Sequence, residues 1–179
     1  RIVVLPWMSN WQYANQVPTQ QFRSANGLPR DVSLYNYNGE DYLSVKPSPE
    51  VLTAFEQKPS GRFQAAAYIE ITNIKSNASI VLSNDKDEHV TMVYDGKNGT
   101  FSMDRTQSGL TDFHNDFKAK TIAPTNGIIK GMQIFVDRCS IEAFDIDGKV
   151  SMTNLVFPSK PYDKVIAKGC KIKIHALKD

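Results

Sequence analysis

The stretch 132–158, Met132-Gln-Ile-Phe-Val-Asp-Arg-Cys-Ser-Ile-Glu-Ala-Phe-Asp-Ile-Asp-Gly-Lys-Val-Ser-Met-Thr-Asn-Leu-Val-Phe-Pro158, decides the fold class. Met132, Ile134 and Val136 alternate with Gln133, Phe135 and Asp137, and Val150 and Met152 alternate with Ser151 and Thr153. That period of two is expected of half-buried β-structure. Asp147-Gly148 reads as a turn. Strand, turn and strand supply long apolar side chains to one face, so the flanking segments are expected to pair or pack on this meander.

Working outward, strand-like runs recur at 63–71, 79–83, 89–94, 100–104, 131–136, 140–144, 150–156 and 170–177, with Asp95-Gly96 and Asn98-Gly99 separating two of them. Many short strands at such spacing predict an all-β chain built on a two-sheet β-sandwich. Upstream, 32–37 and 42–46 flank Asn38-Gly39-Glu40-Asp41, a hairpin signal whose Asn-Gly pair suits positive φ angles. Pro47, Pro49 and Pro59 then interrupt any regular ladder. Ser48-Pro-Glu50 is placed to start a short helical turn through Val51 to Phe55, with Pro49 at the first helical position, where its missing N–H matters least. A linker is expected there. Neither internal repeats nor low-complexity tracts occur.

At 179 residues the chain suits one domain, or a domain plus a fragment, and can bury roughly 70% of its unfolded surface. Its 41% hydrophobic and 22% charged residues are those of a soluble globular protein. No apolar run approaches the ~20 residues that cross a bilayer, so no membrane association is expected. A formal charge of +2, without a basic block, offers no footprint for nucleic acid. The chain opens on Arg1 and enters at once the strand-like run Ile2-Val-Val-Leu5, so its start is expected to be a cut within a longer protein. Cys139 and Cys170 are compatible with one disulfide or with two inert core thiols.

Both tryptophans fall in Pro6-Trp-Met-Ser-Asn-Trp-Gln-Tyr-Ala-Asn15. One reading is a core in which the indoles pack between sheets. The other is a ligand site, because an indole beside the amides of Asn10, Gln12 and Asn15 can stack on the C–H face of a sugar while the amides bond its hydroxyls.

Trp7-Met-Ser-Asn-Trp-Gln-Tyr-Ala14, followed by Phe22-Arg-Ser-Ala25 and Leu28-Pro-Arg30, resembles the last propeller-blade segment of glycoside hydrolase family 32, the levanases, exo-inulinases and invertases. Asp104-Arg-Thr-Gln-Ser-Gly109 with Phe113, then Phe135-Val-Asp-Arg-Cys-Ser-Ile-Glu-Ala-Phe144 with Asp147-Gly148, resembles that family's C-terminal β-sandwich. The motifs recur in order over most of the chain. The resemblance implies a remnant of the last blade in 1–47, a linker with a short helix in 48–60, and the sandwich in 61–179. It further implies that Trp11, Asn10 and Trp7 belong to the aromatic wall around a terminal fructosyl unit, that no cofactor takes part, and that the parent enzyme acts outside the cytoplasm.

Retaining glycoside hydrolysis needs two carboxyl groups about 5 to 5.5 Å apart, one nucleophile and one acid/base. The resemblance implies an aspartate nucleophile in an Asn-Asp-Pro-Asn motif, a second aspartate in Arg-Asp-Pro and a glutamate in Glu-Cys; none of these motifs is in the sequence. Arg30-Asp31 continues into Val32, Asn84-Asp85 into Lys86 and Asn115-Asp116 into Phe117, while Glu142 stands alone on a predicted strand. No catalytic role is assigned to any of them. His89, His114 and His175 lack ligand spacing for zinc, and Asp85-Lys-Asp-Glu88 and Asp145-Ile-Asp147 are too short for calcium loops, so no metal site is expected. Asn77-Ala-Ser79 and Asn98-Gly-Thr100 fit the glycosylation pattern of a eukaryotic secretory route.

Three functions follow. The first is the C-terminal part of a fructan-hydrolysing, retaining β-fructofuranosidase whose sandwich supports an upstream catalytic propeller, inactive by itself, with fructan or a sucrose-like sugar as the parent's substrate. The second is a stand-alone carbohydrate-binding sandwich, which would have to rely on Tyr35, Tyr37, Tyr42, Tyr68, Tyr94 and Tyr162, since no Trp follows Tyr13. The third is an interaction domain whose exposed N-terminal strands disorder, pack back on the sandwich or self-associate.

Overall fold

A computed structural model describes residues 1–57, 63 and 66–178. In chain order its strands begin with β1 (Ile2–Val4), β2 (Arg30–Tyr37), β3 (Glu40–Pro47), then a helical turn α1 (Pro49–Leu52) and β4 (Phe55–Gln57). They continue with β5 (Ala67–Thr72), β6 (Asn77–Ser83), β7 (His89–Asp95), β8 (Thr100–Gln107) and β9 (Lys120–Pro124). The last are β10 (Met132–Asp137), β11 (Ser140–Asp145), β12 (Ser151–Leu155), β13 (Lys164–Lys168) and β14 (Lys171–Leu177). Part of the expected linker, including Pro59, and Gly61 at the expected start of the sandwich lie outside the described residues.

Among the described residues three antiparallel sheets result, with strand orders β1-β2-β3, β12-β11-β10-β5-β14-β4 and β13-β6-β7-β8-β9. The six- and five-stranded sheets face each other as a sandwich. Ile69, Ile71, Met132, Ile134, Ala143, Met152 and Ile174 from one meet Ile80, Leu82, Val90, Met92, Phe101 and Met103 from the other. On β7 the alternation is regular, Val90, Met92 and Tyr94 being buried and their neighbours half-exposed.

The 132–158 stretch forms one half of the larger sheet, from edge strand β12 inward to β10, and its burial exceeds the one-sided pattern expected of it. Met132, Ile134 and Val136 enter the sandwich core as expected, but Phe135 is buried on the opposite face against Tyr68 and Phe144, and every residue of β11 is buried. The outer face is covered because Leu28, Val45, Val51, Leu52 and Phe55 lie on it. The three-stranded sheet has therefore packed back on the sandwich.

Its hairpin turns at Asn38 (φ 54°) and Gly39 (φ 87°), the two consecutive positive angles of a type I′ turn whose twist matches the flanking strands. After Pro47 the chain enters α1 with Pro49 at its first position, and Ser48 donates its hydroxyl to Asp31 (2.6 Å) instead of capping the turn. The turn ends before Phe55, which was expected to continue it; Phe55 instead opens β4 by pairing with Leu177. Strands β9 and β13 escaped the pattern reading because both are short, lysine-bearing edges of the five-stranded sheet. Cys139 and Cys170 are free thiols in different apolar clusters, and burial raises the pKa of both.

Ile134 is fully buried on a central strand, so Ile134→Ala should lower unfolding free energy by about 2–5 kcal/mol in a urea titration. A loss below about 1 kcal/mol would contradict this packing.

Candidate functional site: an exposed indole rim on a buried anchor

The rim is built by a tight turn between β1 and β2. Trp7 forms an isolated bridge with Asn26, and Met8 N–H donates to Ala25 O (2.8 Å), which closes the loop on itself. The side-chain oxygen of Asn10 accepts Gln12 N–H (2.8 Å), while its backbone carbonyl accepts the N–H groups of Tyr13 and Ala14 (3.2 and 2.8 Å). This is an Asx turn, the Asn10 side chain taking the place of a backbone acceptor. Trp11, at the tip, is 88% exposed, and Trp7 beside it is 41% exposed. Their rings stand 4.9 Å apart at 50°, and the Trp7 indole N–H donates to the Ser24 hydroxyl. The reading of these indoles as core residues is therefore wrong: the turn displays them. The amides of Gln12 and Asn15 are exposed, and the Nδ2 group of Asn10 has no partner among the described residues.

Tyr13 points the other way and anchors the turn. It is buried with Met8, Val17, Phe117, Leu155 and Phe157, meeting Phe117 edge-on at 5.4 Å. Arg105, from the Asp104-to-Gly109 motif, lies buried under this cluster with its guanidinium 4.1 Å from the Phe117 ring centroid and 5.8 Å from that of Tyr13. Its Nη1 donates to Leu155 O (3.1 Å) and its Nη2 to Tyr13 Oη (3.4 Å). No carboxylate pairs with it among the described residues, so ring faces and acceptor oxygens stabilise the charge.

A second anchor is ionic. Arg30, the first residue of β2, places Nη2 at 2.5 Å from Glu142 Oε2 and 2.6 Å from Thr153 Oγ1, while its Nη1 donates to Ser151 Oγ (3.2 Å). Glu142 is only 3% exposed; its other oxygen accepts Leu28 N–H (2.9 Å), and Thr153 donates to Oε2 (3.2 Å). The guanidinium also sits 5.1 Å over the Phe144 ring. Gly27 makes the approach possible, since a Cβ there would stand 2.9 Å from Pro6, 3.1 Å from the Glu142 carboxylate and 3.2 Å from Arg30.

The remaining acidic residues weighed from the sequence are likewise held locally. Asp31 accepts from Arg1 (2.8 and 2.9 Å), and this pair, with Ser48, lowers its pKa; Arg1 also grips Glu50 (2.6 Å), whose pKa falls to about 2. Asp85 pairs with Lys160 (3.0 Å), Asp116 with His114 (3.6 Å), and Asp145 accepts the N–H groups of Asp147 and Lys149 within its own turn. Among the described residues no group of three or more His, Cys, Asp or Glu is placed to hold a metal.

A family model described as glycosyl hydrolases family 32 C terminal matches residues 33–175. The chain belongs to glycoside hydrolase family 32. It is 28% identical to a levanase of Bacillus subtilis over 97% of its length, covering 30% of that protein. It is likewise 28% identical to an extracellular exo-inulinase of Aspergillus niger, over 88% of its length and 34% of the relative's. It thus spans about a third of the curated relatives it matches. The fold superposes on the exo-inulinase of Aspergillus awamori with a TM-score of 0.80 at 23% identity, covering 99% of this chain and 40% of that one. A fructofuranosidase of Schwanniomyces occidentalis, solved with fructosylnystose, gives 0.78 at 20% identity, with 99% and 45% coverage. The all-β architecture is that of the family's C-terminal β-sandwich region.

Sequence reasoning picked out the rim residues but missed both anchors. A signal for one of them was present: a lone glutamate within Ser-Ile-Glu-Ala-Phe, a run otherwise made for burial, demands a cationic partner.

Arg30→Ala strands the Glu142 carboxylate in the interior and should cost about 3–5 kcal/mol in chemical denaturation, whereas Arg30→Met with Glu142→Leu should recover most of the loss. Equal losses for the single and double variants would contradict the anchor.

Proposed function

We propose that this chain is the C-terminal part of a fructan-hydrolysing β-fructofuranosidase of the levanase or exo-inulinase type, acting outside the cytoplasm. In this reading residues 1–47 complete the last blade of a catalytic propeller, 48–60 link it onward, and the sandwich braces the blade from outside. The observation that carries the reading is the rim: Trp11, 88% exposed on a turn fixed from below by Tyr13 and Arg105, with Trp7 4.9 Å away. Two adjacent exposed indoles beside free amides are the apolar and polar surface that a sugar covers. Its face takes the C–H surface of a terminal fructosyl unit, and the Asn10 amide donates to a sugar hydroxyl. Trp11, Asn10 and Trp7 therefore bind and orient, and the two carboxyl groups that cleave the bond belong to the propeller.

The small sheet supports the same reading. Leu34 and Leu43 face each other across β2 and β3 yet are 69% and 62% exposed, and Ile2 on β1 is 66% exposed. Contiguous apolar residues on a sheet face suit a neighbouring blade. The identities to a levanase and to exo-inulinases supply the substrate class.

The 179-residue chain incubated with levan, inulin or sucrose should release no fructose. In the whole enzyme, Trp11→Ala should lower kcat/KM about tenfold while leaving the thermal midpoint unchanged, as loss of one stacking contact on an exposed residue requires. Turnover by the isolated chain, or an unaltered kcat/KM in the Trp11 variant, would contradict the assignment.

A further inference from the structure

The chain has seven tyrosines, and they divide sharply. Tyr13, Tyr68, Tyr94 and Tyr162 are buried in the apolar clusters. The three that remain, Tyr35, Tyr37 and Tyr42, are half-exposed and lie together on the β2–β3 hairpin. Tyr35 is directly opposite Tyr42, and Tyr37 is two residues further along β2, so all three project from one face. The rings of Tyr35 and Tyr42 stack at 5.6 Å with 26° between their planes. Two elements of the sandwich close on this strip. From the loop between β9 and β10, Asn126 donates Nδ2 to Tyr35 Oη (2.9 Å). From the turn before β12, Lys149 holds its ammonium 6.0 Å from the Tyr35 ring centroid. Gly127, whose φ of 114° only glycine adopts without strain, turns the chain beside the strip, within van der Waals reach of Lys149 Nζ and Tyr37 Cε2.

We infer that this strip is a second carbohydrate-binding site, a tyrosine platform for a neutral oligosaccharide, sharing no residue with the indole rim. The chemistry selects that ligand class. Ring bodies offer apolar faces, and their polar tips carry both senses of hydrogen bond: Tyr35 Oη, already accepting from Asn126, keeps its proton to donate, whereas Tyr42 Oη donates to Glu40 (2.8 Å) and keeps its lone pairs to accept. Lys149 adds donors with no carboxylate in ion-pair range among the described residues. Charges of both signs are interspersed around the strip, Lys149 and Lys46 with Glu40 and, in the turn before β12, Asp147 with Lys130, so no single-sign field recruits a charged ligand. Positions i and i+2 on a strand are on the order of 7 Å apart, enough to seat successive sugar rings of a polymer.

That the sugar is a fructan rests on the proposed function; that the platform binds sugar does not. The site straddles the small sheet and the sandwich, so its role is to hold a polymer while one end is presented elsewhere, raising the effective concentration of chain ends.

The test is affinity electrophoresis of the 179-residue chain in native gels containing levan, inulin or, for comparison, a soluble β-glucan. Levan or inulin should retard the chain. Tyr37→Ala, Tyr42→Ala and Lys149→Ala should each weaken the apparent affinity at least fivefold, while Tyr42→Phe, which keeps the ring face, should lose less than Tyr42→Ala. Lys149→Ala leaves the hairpin strands untouched, so it decides the matter if a tyrosine variant fails to fold. Retardation by the glucan alone, lost in these variants, would uphold the platform and contradict the fructan assignment. Equal mobility of parent and variants in every polymer would overturn the platform and leave the fructan assignment standing.

Discussion

The salt bridge between Arg30 and Glu142 is the constraint on which the arrangement of this molecule depends. A carboxylate almost wholly removed from water is tolerable only while a cation and several donors surround it; Glu142 receives the cation Arg30 and the Leu28 N–H from across the interface and the Thr153 hydroxyl from the neighbouring strand. Arg30 and Leu28 belong to the N-terminal segment, whereas Glu142 and Thr153 belong to the sandwich. Such a pair adds little net stability over an apolar contact of equal volume, but pulling it apart is costly because each charge would be left buried and unmatched. Its effect is to fix one seating of the small sheet on the large one. The Leu28, Val45 and Phe144 contacts then fill the interface that the ion pair has registered.

That seating also constrains the chain on either side of it. The rim lies on the loop that runs into Arg30, and the tyrosine platform lies on the hairpin that runs out of it. Arg105 secures the underside of the turn by a different physical means, ring faces in place of a carboxylate. The Trp side chains gain nothing from being exposed. They stand in water on a turn whose underside, Tyr13 with Phe117 and Arg105, is held out of it.

Much of the sandwich was legible in the sequence because its strands obey a simple alternation, as Val90, Met92 and Tyr94 do, and because Asn38-Gly39 permits little besides a two-residue hairpin. The edge strands β9 and β13 were not legible, since lysines at their ends dilute the apolar period that marks a strand. The second buried face of β10 and β11 also escaped: whether Phe135 and Glu142 meet solvent depends on what folds over them, and that is supplied by residues about eighty or more positions away. The rim residues were legible as a motif through family resemblance, but their exposure was not, because a tryptophan beside amides reads equally as core. The platform needed the register of β2 against β3 and the approach of Asn126 and Lys149, which no local pattern carries.

Native-state hydrogen exchange tests the central claim most directly, by comparing amides of β2 and β3 with those of β10 and β11 in the unmodified chain. If the buried ion pair binds the small sheet and the sandwich into one cooperative unit, the hydrogen-bonded amides of β2 and β3 will open with the same free energy as the slowest amides of β10 and β11, within about 1 kcal/mol. Exchange of the hairpin through an independent, low-energy opening, with the sandwich still fully protected, would contradict the account.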